Sequence, residues 1–432
     1  MTLGFNTTGN NQTNRRITNS VILGKLRNTL ASTSRKFKYC NRNSTDLNLT
    51  FNCVFNGIKD PLVDYSFETY HIINSEEIPI ENITDELPQE DGVAVKSILS
   101  GPFTPAQIKK AYSINNIIPL INKRRPIVTI IAAYNNPYLA RDIATFGRLF
   151  SLPPCNYTIH NFSRKFSTGW AVEVTLNVQW VYAINPYAQI RVILAASDSS
   201  RDMFNAVNFA NNRNNFRPAI DTDIISMSWG TTDTGKFSTF NNYFTNTNTI
   251  YIASSGNSSQ VSVPSSCSNV LSIGGTSLNL DSSHNRALER VWSSSGCGFS
   301  KSFNKPIYQP SILSNNKRLS PDFSCVADPK TPCYIVLNNR VYTTGGTSLA
   351  APIYAGMLSI LTQNRINNNR FTYTSVQNRP NSIQPLLYNS NNSNCFYDIT
   401  QGSSGIYSAA PGFDIASGKG SLNNEIALQK LG

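Results

Sequence analysis

An α/β fold with a mainly parallel sheet flanked by helices is what this sequence predicts, and two observations carry the prediction. Short apolar runs alternate with helical patterns: residues 127–133 precede a helix from Tyr138, and residues 190–196 precede a helix near Ser200. Further apolar runs at 224–229, 250–254 and 270–274 continue the strands. Continuous rather than alternating apolar strands are those buried on both faces, which requires crossover helices and parallel pairing. Catalytic groups in such sheets gather at the carboxyl ends of the strands.

The candidate for such a group is Ser348, in Gly346-Thr347-Ser348-Leu349-Ala350-Ala351-Pro352. The run places a serine where a tight glycine turn meets a small-residue helix with a proline near its first turn. Backbone N–H groups at a helix start lack intrahelical partners and the dipole there is positive, so anion stabilisation lies beside the hydroxyl. The same Gly-Gly-Thr-Ser-Leu string occurs at 274–278, but it continues as Asn279-Leu280-Asp281, an apolar/polar alternation that reads as a strand. Ser277 is therefore structural and Ser348 the candidate nucleophile.

The chain has 432 residues, enough for a large core and more than one folding unit at about 150 residues per domain. Its 37 basic and 25 acidic residues give a net charge of +12, yet only 14% of residues are charged. Outside Arg15-Arg16, residues 35–42 and Lys123-Arg124-Arg125 the cations are scattered, which favours a solvated basic surface over a nucleic-acid site. No apolar run approaches the roughly 18 residues of a membrane span, and Met1 to Arg27 lacks the apolar core of a signal peptide. No secretion signal is therefore expected, and localisation stays open. The eight cysteines lack Cys-x-x-Cys spacing; Cys40 with Cys53 and Cys325 with Cys333 are the local pairs to test for disulfides. Residues 1–42 are basic and polar, residues 60–91 acidic, and Gly101-Pro102 followed by Thr104-Pro105 marks a breaker and a helix start. The domain boundary is placed there, giving 1–100 and 101–432.

A serine nucleophile needs a base. None of the three histidines, His71, His160 and His284, is followed by Gly-Thr, so the expected base is a carboxylate. Glu173 lies in a helix-length apolar segment, 169–184, closed by Asn185-Pro186, and Asn177 shares its helix face four residues on.

At these residues the chain resembles the sedolisins, the serine-carboxyl peptidases that keep a subtilisin-like sheet but use Glu in place of His. The resemblance covers roughly residues 101–432. It rests on Gly346-Thr347-Ser348, on Glu173, on Thr104-Pro105-Ala106-Gln107-Ile108, on Asn185-Pro186-Tyr187-Ala188-Gln189-Ile190, and on Ser226-Met227-Ser228-Trp229-Gly230 as the strand that pairs with substrate. It implies a serine-type endopeptidase acting on peptide or protein substrates, with Ser348 as nucleophile and Glu173 as base. It further implies that residues 1–100 are a propeptide-like segment that blocks the cleft. A monomer without nucleic-acid or membrane partners is expected. Two positions depart from the family pattern by losing a carboxylate: Asn177 stands where the family has an Asp that shares a proton with Glu, and Asn257 where it has its oxyanion Asp. Asn257 can donate at any pH, as an Asn does in subtilisins. Asn177 can orient Glu173, but by stabilising its ionised form it weakens the base. The alternative reading is a catalytically impaired pseudoprotease acting as a binding or structural protein. Ala132 likewise stands where similar sequences have Asp. Finally, Asp398-Ile399 with Ala410-Pro411-Gly412-Phe413-Asp414 resembles the C-terminal calcium site, implying one structural calcium ion held by the Asp398 and Asp414 carboxylates and the carbonyls of Ile399, Ala410 and Gly412.

Overall fold

The computed structural model describes residues 65–79, 98–115, 117, 119–120, 122–310 and 315–432, all within the compact unit Leu62–Gly432. The N-terminal basic tail, Cys40, Cys53 and most of the acidic stretch lie outside the described residues. Strands β1 (Glu68–Thr69) and β2 (Ile72–Ile78) come first. Helix α1 (Pro105–Ala111) begins where the Thr-Pro signal puts it. The Thr104 hydroxyl accepts the Gln107 N–H, the Gln107 side chain accepts the Thr104 N–H, and Pro105 occupies a first-turn position that needs no donor.

The central layer follows as β3 (Ile127–Ala133), α2 (Leu139–Leu149), β4 (Asn156–Asn161), α3 (Thr168–Ile184), β5 (Gln189–Ala195), α4 (Ser200–Asn211), β6 (Ile224–Met227), β7 (Trp229–Thr232), β8 (Ile250–Ser254), β9 (Ser262–Val263), β10 (Val270–Leu280) and β11 (Arg286–Val291). The order across the sheet is β11-β10-β8-β6-β3-β5-β4, with every pair from β10 to β4 parallel and β11 antiparallel at the edge. This is the mainly parallel, helix-flanked α/β sheet that the apolar runs predict. Beyond it, β12 (Gly298–Asn304) pairs with β13 (Lys317–Ser320), β14 (Phe323–Val326) adds to β10, and β15 (Cys333–Leu337) pairs with β16 (Arg340–Gly345), which leads into α5 (Thr347–Asn367).

Helices α3 and α5 are apolar all round because both lie inside the molecule: Val174, Leu176, Val178 and Val181 on the first and Leu349, Ile353, Met357 and Leu361 on the second are fully buried. That burial fixes the two helices that carry the polar groups of interest, Glu173 with Asn177 on one and Ser348 on the other. No helix among the described residues is long and apolar enough to cross a membrane.

Three sequence expectations need correction or refinement. The run 224–229 is not one strand: β6 stops at Met227 and β7 starts at Trp229, because both polar groups of Ser228 turn to the site described below. Cys325 and Cys333 are both free thiols, buried on β14 and β15. Burial pushes both thiols above their usual pKa, so neither is a ready thiolate. In the cluster Lys123-Arg124-Arg125, Arg124 binds the Asp223 carboxylate at 2.6 and 2.7 Å and Arg125 donates to the Tyr187 carbonyl at 3.0 Å. Those two cations hold the chain to the ends of β6 and β5. Ser277, as expected, lies within a strand, and its hydroxyl donates to Asp328.

Candidate active site

Ser348 is the second residue of α5, held by the turn at Gly346. That glycine has φ +96°, and a Cβ on it would fall 2.0 Å from the Tyr70 carbonyl oxygen, so only glycine allows the backbone to pass there. Pro352 lacks the N–H that would bond to the Ser348 carbonyl four residues back, and the Ser228 hydroxyl oxygen lies 3.2 Å from that carbonyl. The Ser348 hydroxyl is fully buried, 3.0 Å from Glu173 Oε2 and 3.1 Å from the Ser228 carbonyl.

Glu173 is 1% exposed, and an unpartnered carboxylate at that depth would be costly. Its oxygens are divided between two sets of partners. Oε1 accepts the Asn177 side-chain amide at 2.6 Å; Oε2 faces the Ser348 hydroxyl and, at 2.9 Å, His71 Nδ1. The orientation of Asn177 follows from its other end, where Oδ1 accepts the Ser228 hydroxyl at 2.8 Å. Asn177 is therefore locked with its donor toward Glu173.

Asn257 is oriented in the same manner. Its Oδ1 accepts both the backbone N–H and the hydroxyl of Thr347, each at 2.9 Å, which leaves Nδ2 to donate to the Tyr70 carbonyl at 2.8 Å. The Ser348 N–H donates to the same oxygen at 3.1 Å. Two donors thus converge on one peptide carbonyl beside the serine, the geometry an oxyanion needs.

The carbonyl belongs to the chain itself, in the two-residue link between β1 and β2. β1 pairs antiparallel with β7, Glu68 opposite Gly230 and Thr69 opposite Trp229, on the segment expected to pair with substrate. β2 pairs antiparallel with β16, Ile72 opposite Gly345. Tyr70 and His71 lie between, and Tyr70 N–H donates to the Ser348 hydroxyl at 3.0 Å.

The fold therefore brings Ser348, Glu173, Asn177 and Asn257 together. It also adds two residues that sequence reasoning missed, His71 and Ser228. His71 gave no local signal, because it sits more than 100 positions from Glu173 in a segment of unrelated composition. The other two histidines are elsewhere: His284 meets Gln107, and His160 packs on Phe209 and Phe216, where burial and Arg191 hold its pKa below the usual value. Ala132 is an ordinary buried residue of β3.

At the C-terminal end, Gly412 N–H donates to Asp398 at 2.8 Å and Ala410 N–H to Asp414 at 3.1 Å, so both carboxylates meet the same short loop. Asp414 is buried, which pushes its pKa up, and backbone bonds from Ser417 and Ala416 partly offset that push. Both carboxylates are thus met by backbone N–H groups of the loop, and among the described residues no three His, Cys, Asp or Glu side chains come together to hold a metal ion.

The sequence model described as the subtilase family matches residues 177–412, more than half of the chain. This chain belongs to the subtilase family. The match takes in Asn177, Asn257 and Ser348 and begins just after Glu173. Within the subtilases its similarity is to proteins of the sedolisin kind. It is 32% identical over 184 residues to sedolisin of Pseudomonas sp. (strain 101), covering 39% of this chain and 30% of that protein. It is 26% identical over 370 residues to kumamolisin of Bacillus sp. (strain MN-32), covering 76% of this chain and 63% of that protein. This subtilase thus spans less than two thirds of the length of either relative. The solved structure of Pseudomonas sedolisin, a serine-carboxyl proteinase complexed with two molecules of pseudo-iodotyrostatin, superposes with a TM-score of 0.65 at 22% identity, over 75% of this chain and 96% of that one. That likeness establishes the shared subtilisin-like fold.

Proposed function

We propose that this chain is a serine-carboxyl endopeptidase of peptide or protein substrates. The observation that carries this reading is the convergence on one peptide group: Asn257 Nδ2 and Ser348 N–H on its carbonyl oxygen, and beside it a serine hydroxyl 3.0 Å from a buried carboxylate. Ser348 attacks the carbonyl carbon, Glu173 takes the serine proton and returns it to the leaving amine, and Asn257 with the Ser348 N–H holds the oxyanion. Asn177 orients Glu173 without carrying a proton, which lowers turnover. The propeptide-like role of the first 100 residues is supported by residues 65–79, which fill the cleft. A serine-reactive phosphonate or aldehyde is expected to label one residue, identified as Ser348 by peptide mass spectrometry. A protein left unlabelled across a pH series would point instead to a silent scaffold.

One structural calcium ion at Asp398 and Asp414, with the carbonyls of Ile399, Ala410 and Gly412, belongs to the same proposal. The ion would tie the 398–414 loop to the sheet and supply no chemistry to the reaction. Chelation is expected to lower the melting temperature by several degrees, since a ligand at 100 times its Kd contributes about 2.7 kcal/mol. An unchanged melting curve after chelation, with no calcium found in the purified protein, would remove the ion from the account.

A further inference from the structure

We propose that this site is selective for a tyrosine–histidine junction, that the histidine of the substrate takes part in catalysis, and that the chain's own Tyr70–His71 bond is the first it cuts. The inference rests on the peptidase reading above and adds the substrate class to it.

The register comes first. Antiparallel pairing on both sides, Thr69 with Trp229 and Ile72 with Gly345, clamps the chain before and after the 70–71 bond and leaves that peptide group at Ser348. Tyr70 touches Ser348 at both ends of its backbone, N–H to hydroxyl at 3.0 Å and carbonyl to backbone N–H at 3.1 Å. No other peptide group of the strand can occupy the donors while this register holds.

The residue before the bond fits a made pocket. The Tyr70 hydroxyl lies 2.9 Å from the Ser262 hydroxyl, and burial pushes the phenol pKa well above its usual value, so it stays neutral there. A Cβ at Gly230 would fall 3.1 Å from the phenol oxygen and 2.3 Å from the Val263 carbonyl. Any larger residue at 230 would therefore close the slot that the tyrosine ring enters.

The residue after the bond meets the proton-handling group. His71 is 7% exposed, and its Nδ1 stands 2.9 Å from Glu173 Oε2, the same oxygen that faces the Ser348 hydroxyl. Asn177, on the other oxygen, is an amide and can neither take nor give up a proton. Among the described residues, His71 is thus the titratable side chain bonded to Glu173 besides the nucleophile itself. The substrate's imidazole thus meets the very carboxylate oxygen that takes the serine proton, and it orients that oxygen toward the nucleophile.

The reaction balances as an ordinary hydrolysis. Ser348 Oγ bonds to the Tyr70 carbonyl carbon as its proton passes to Glu173 Oε2. The Tyr70 C–N bond to His71 breaks, and the proton goes to the departing His71 amine. Water then attacks the tyrosyl ester, gives its proton through Glu173 to Ser348, and releases the Tyr70 carboxyl group.

The test uses the full chain and, in parallel, a heptapeptide with the sequence of residues 68–74. Intact mass and N-terminal sequencing are expected to show a new terminus at His71 that does not form in Ser348→Ala. The peptide is expected to be cut at its Tyr–His bond, and its alanine-for-histidine version to lose at least about tenfold in kcat with KM little changed, partly restored by free imidazole. A merely structural histidine would move KM and would not respond to imidazole. If other peptides are hydrolysed while the 70–71 bond stays intact and the two heptapeptides are cut alike, this inference falls and the peptidase stands. If Ser348 is also unlabelled and nothing is cut, both fall.

Discussion

Ser348→Ala is expected to lower peptide hydrolysis by at least about 10⁴-fold, the scale on which removal of a serine nucleophile acts in enzymes of this chemistry. The expectation follows from how the hydroxyl is held. It is fully buried and stands among three groups: the Tyr70 N–H, which it accepts, and the Glu173 carboxylate and Ser228 carbonyl, to either of which it can donate. No neighbouring hydroxyl can stand in for it, because Thr347 Oγ1 is committed to Asn257 and Ser228 Oγ to Asn177. Removing it leaves the Tyr70 N–H without its acceptor, which costs about 1–3 kcal/mol. That loss falls on one strand of a large core, so the circular dichroism spectrum should be unchanged and the melting temperature only slightly lower. Proteolysis that survives the substitution in well-folded protein would remove Ser348 from the mechanism.

The sheet was legible in the sequence because its information is local. Apolar runs such as 127–133 and 250–254 form the strands they suggest, and Thr104-Pro105 starts a helix for reasons contained in four residues. Ser348 and Glu173 were legible for the same reason, one by its glycine turn and the other as a carboxylate in an apolar helix. Contacts between distant segments were not. Ser228 breaks a strand because its two polar groups serve Asn177 and Ser348, 51 and 120 positions away, and no period in the sequence encodes that. His71 is the sharper case. A search for a base beside a Gly-Thr motif passes over it, since its meeting with Glu173 depends on two strand pairings, β1 with β7 and β2 with β16. Cys325 and Cys333 show the converse: closeness in sequence suggested a bond, while their strands join different sheets.

Glu173→Gln should reduce turnover by about 10²–10⁴-fold, the usual worth of a positioned general base, and should do so without unfolding the protein. The substitution keeps shape and removes the proton acceptor. Asn177 decides which way the new amide points: its Nδ2 faces the side chain at position 173 because its Oδ1 is held by the Ser228 hydroxyl. The introduced amide must then turn its oxygen to Asn177 and its NH₂ to the Ser348 hydroxyl, where it donates and cannot accept. The serine is left with the Ser228 carbonyl, which orients but takes no proton. Asn177→Asp tests the other half of the pair. A carboxyl group in place of an amide 2.6 Å from Glu173 Oε1 requires the two acids to share one proton, which raises the basicity of Glu173. Turnover of Asn177→Asp should therefore exceed that of the unaltered chain at acidic pH, where the shared proton is retained, and lose that advantage toward neutrality. Equal rates at every pH would mean that Asn177 does not limit the base. Initial rates on one peptide across pH, with active sites counted by the phosphonate, separate a weaker base from a smaller fraction of competent protein. The double substitution completes the cycle: in the Glu173→Gln background, Asn177→Asp has no partner base to strengthen and should restore nothing.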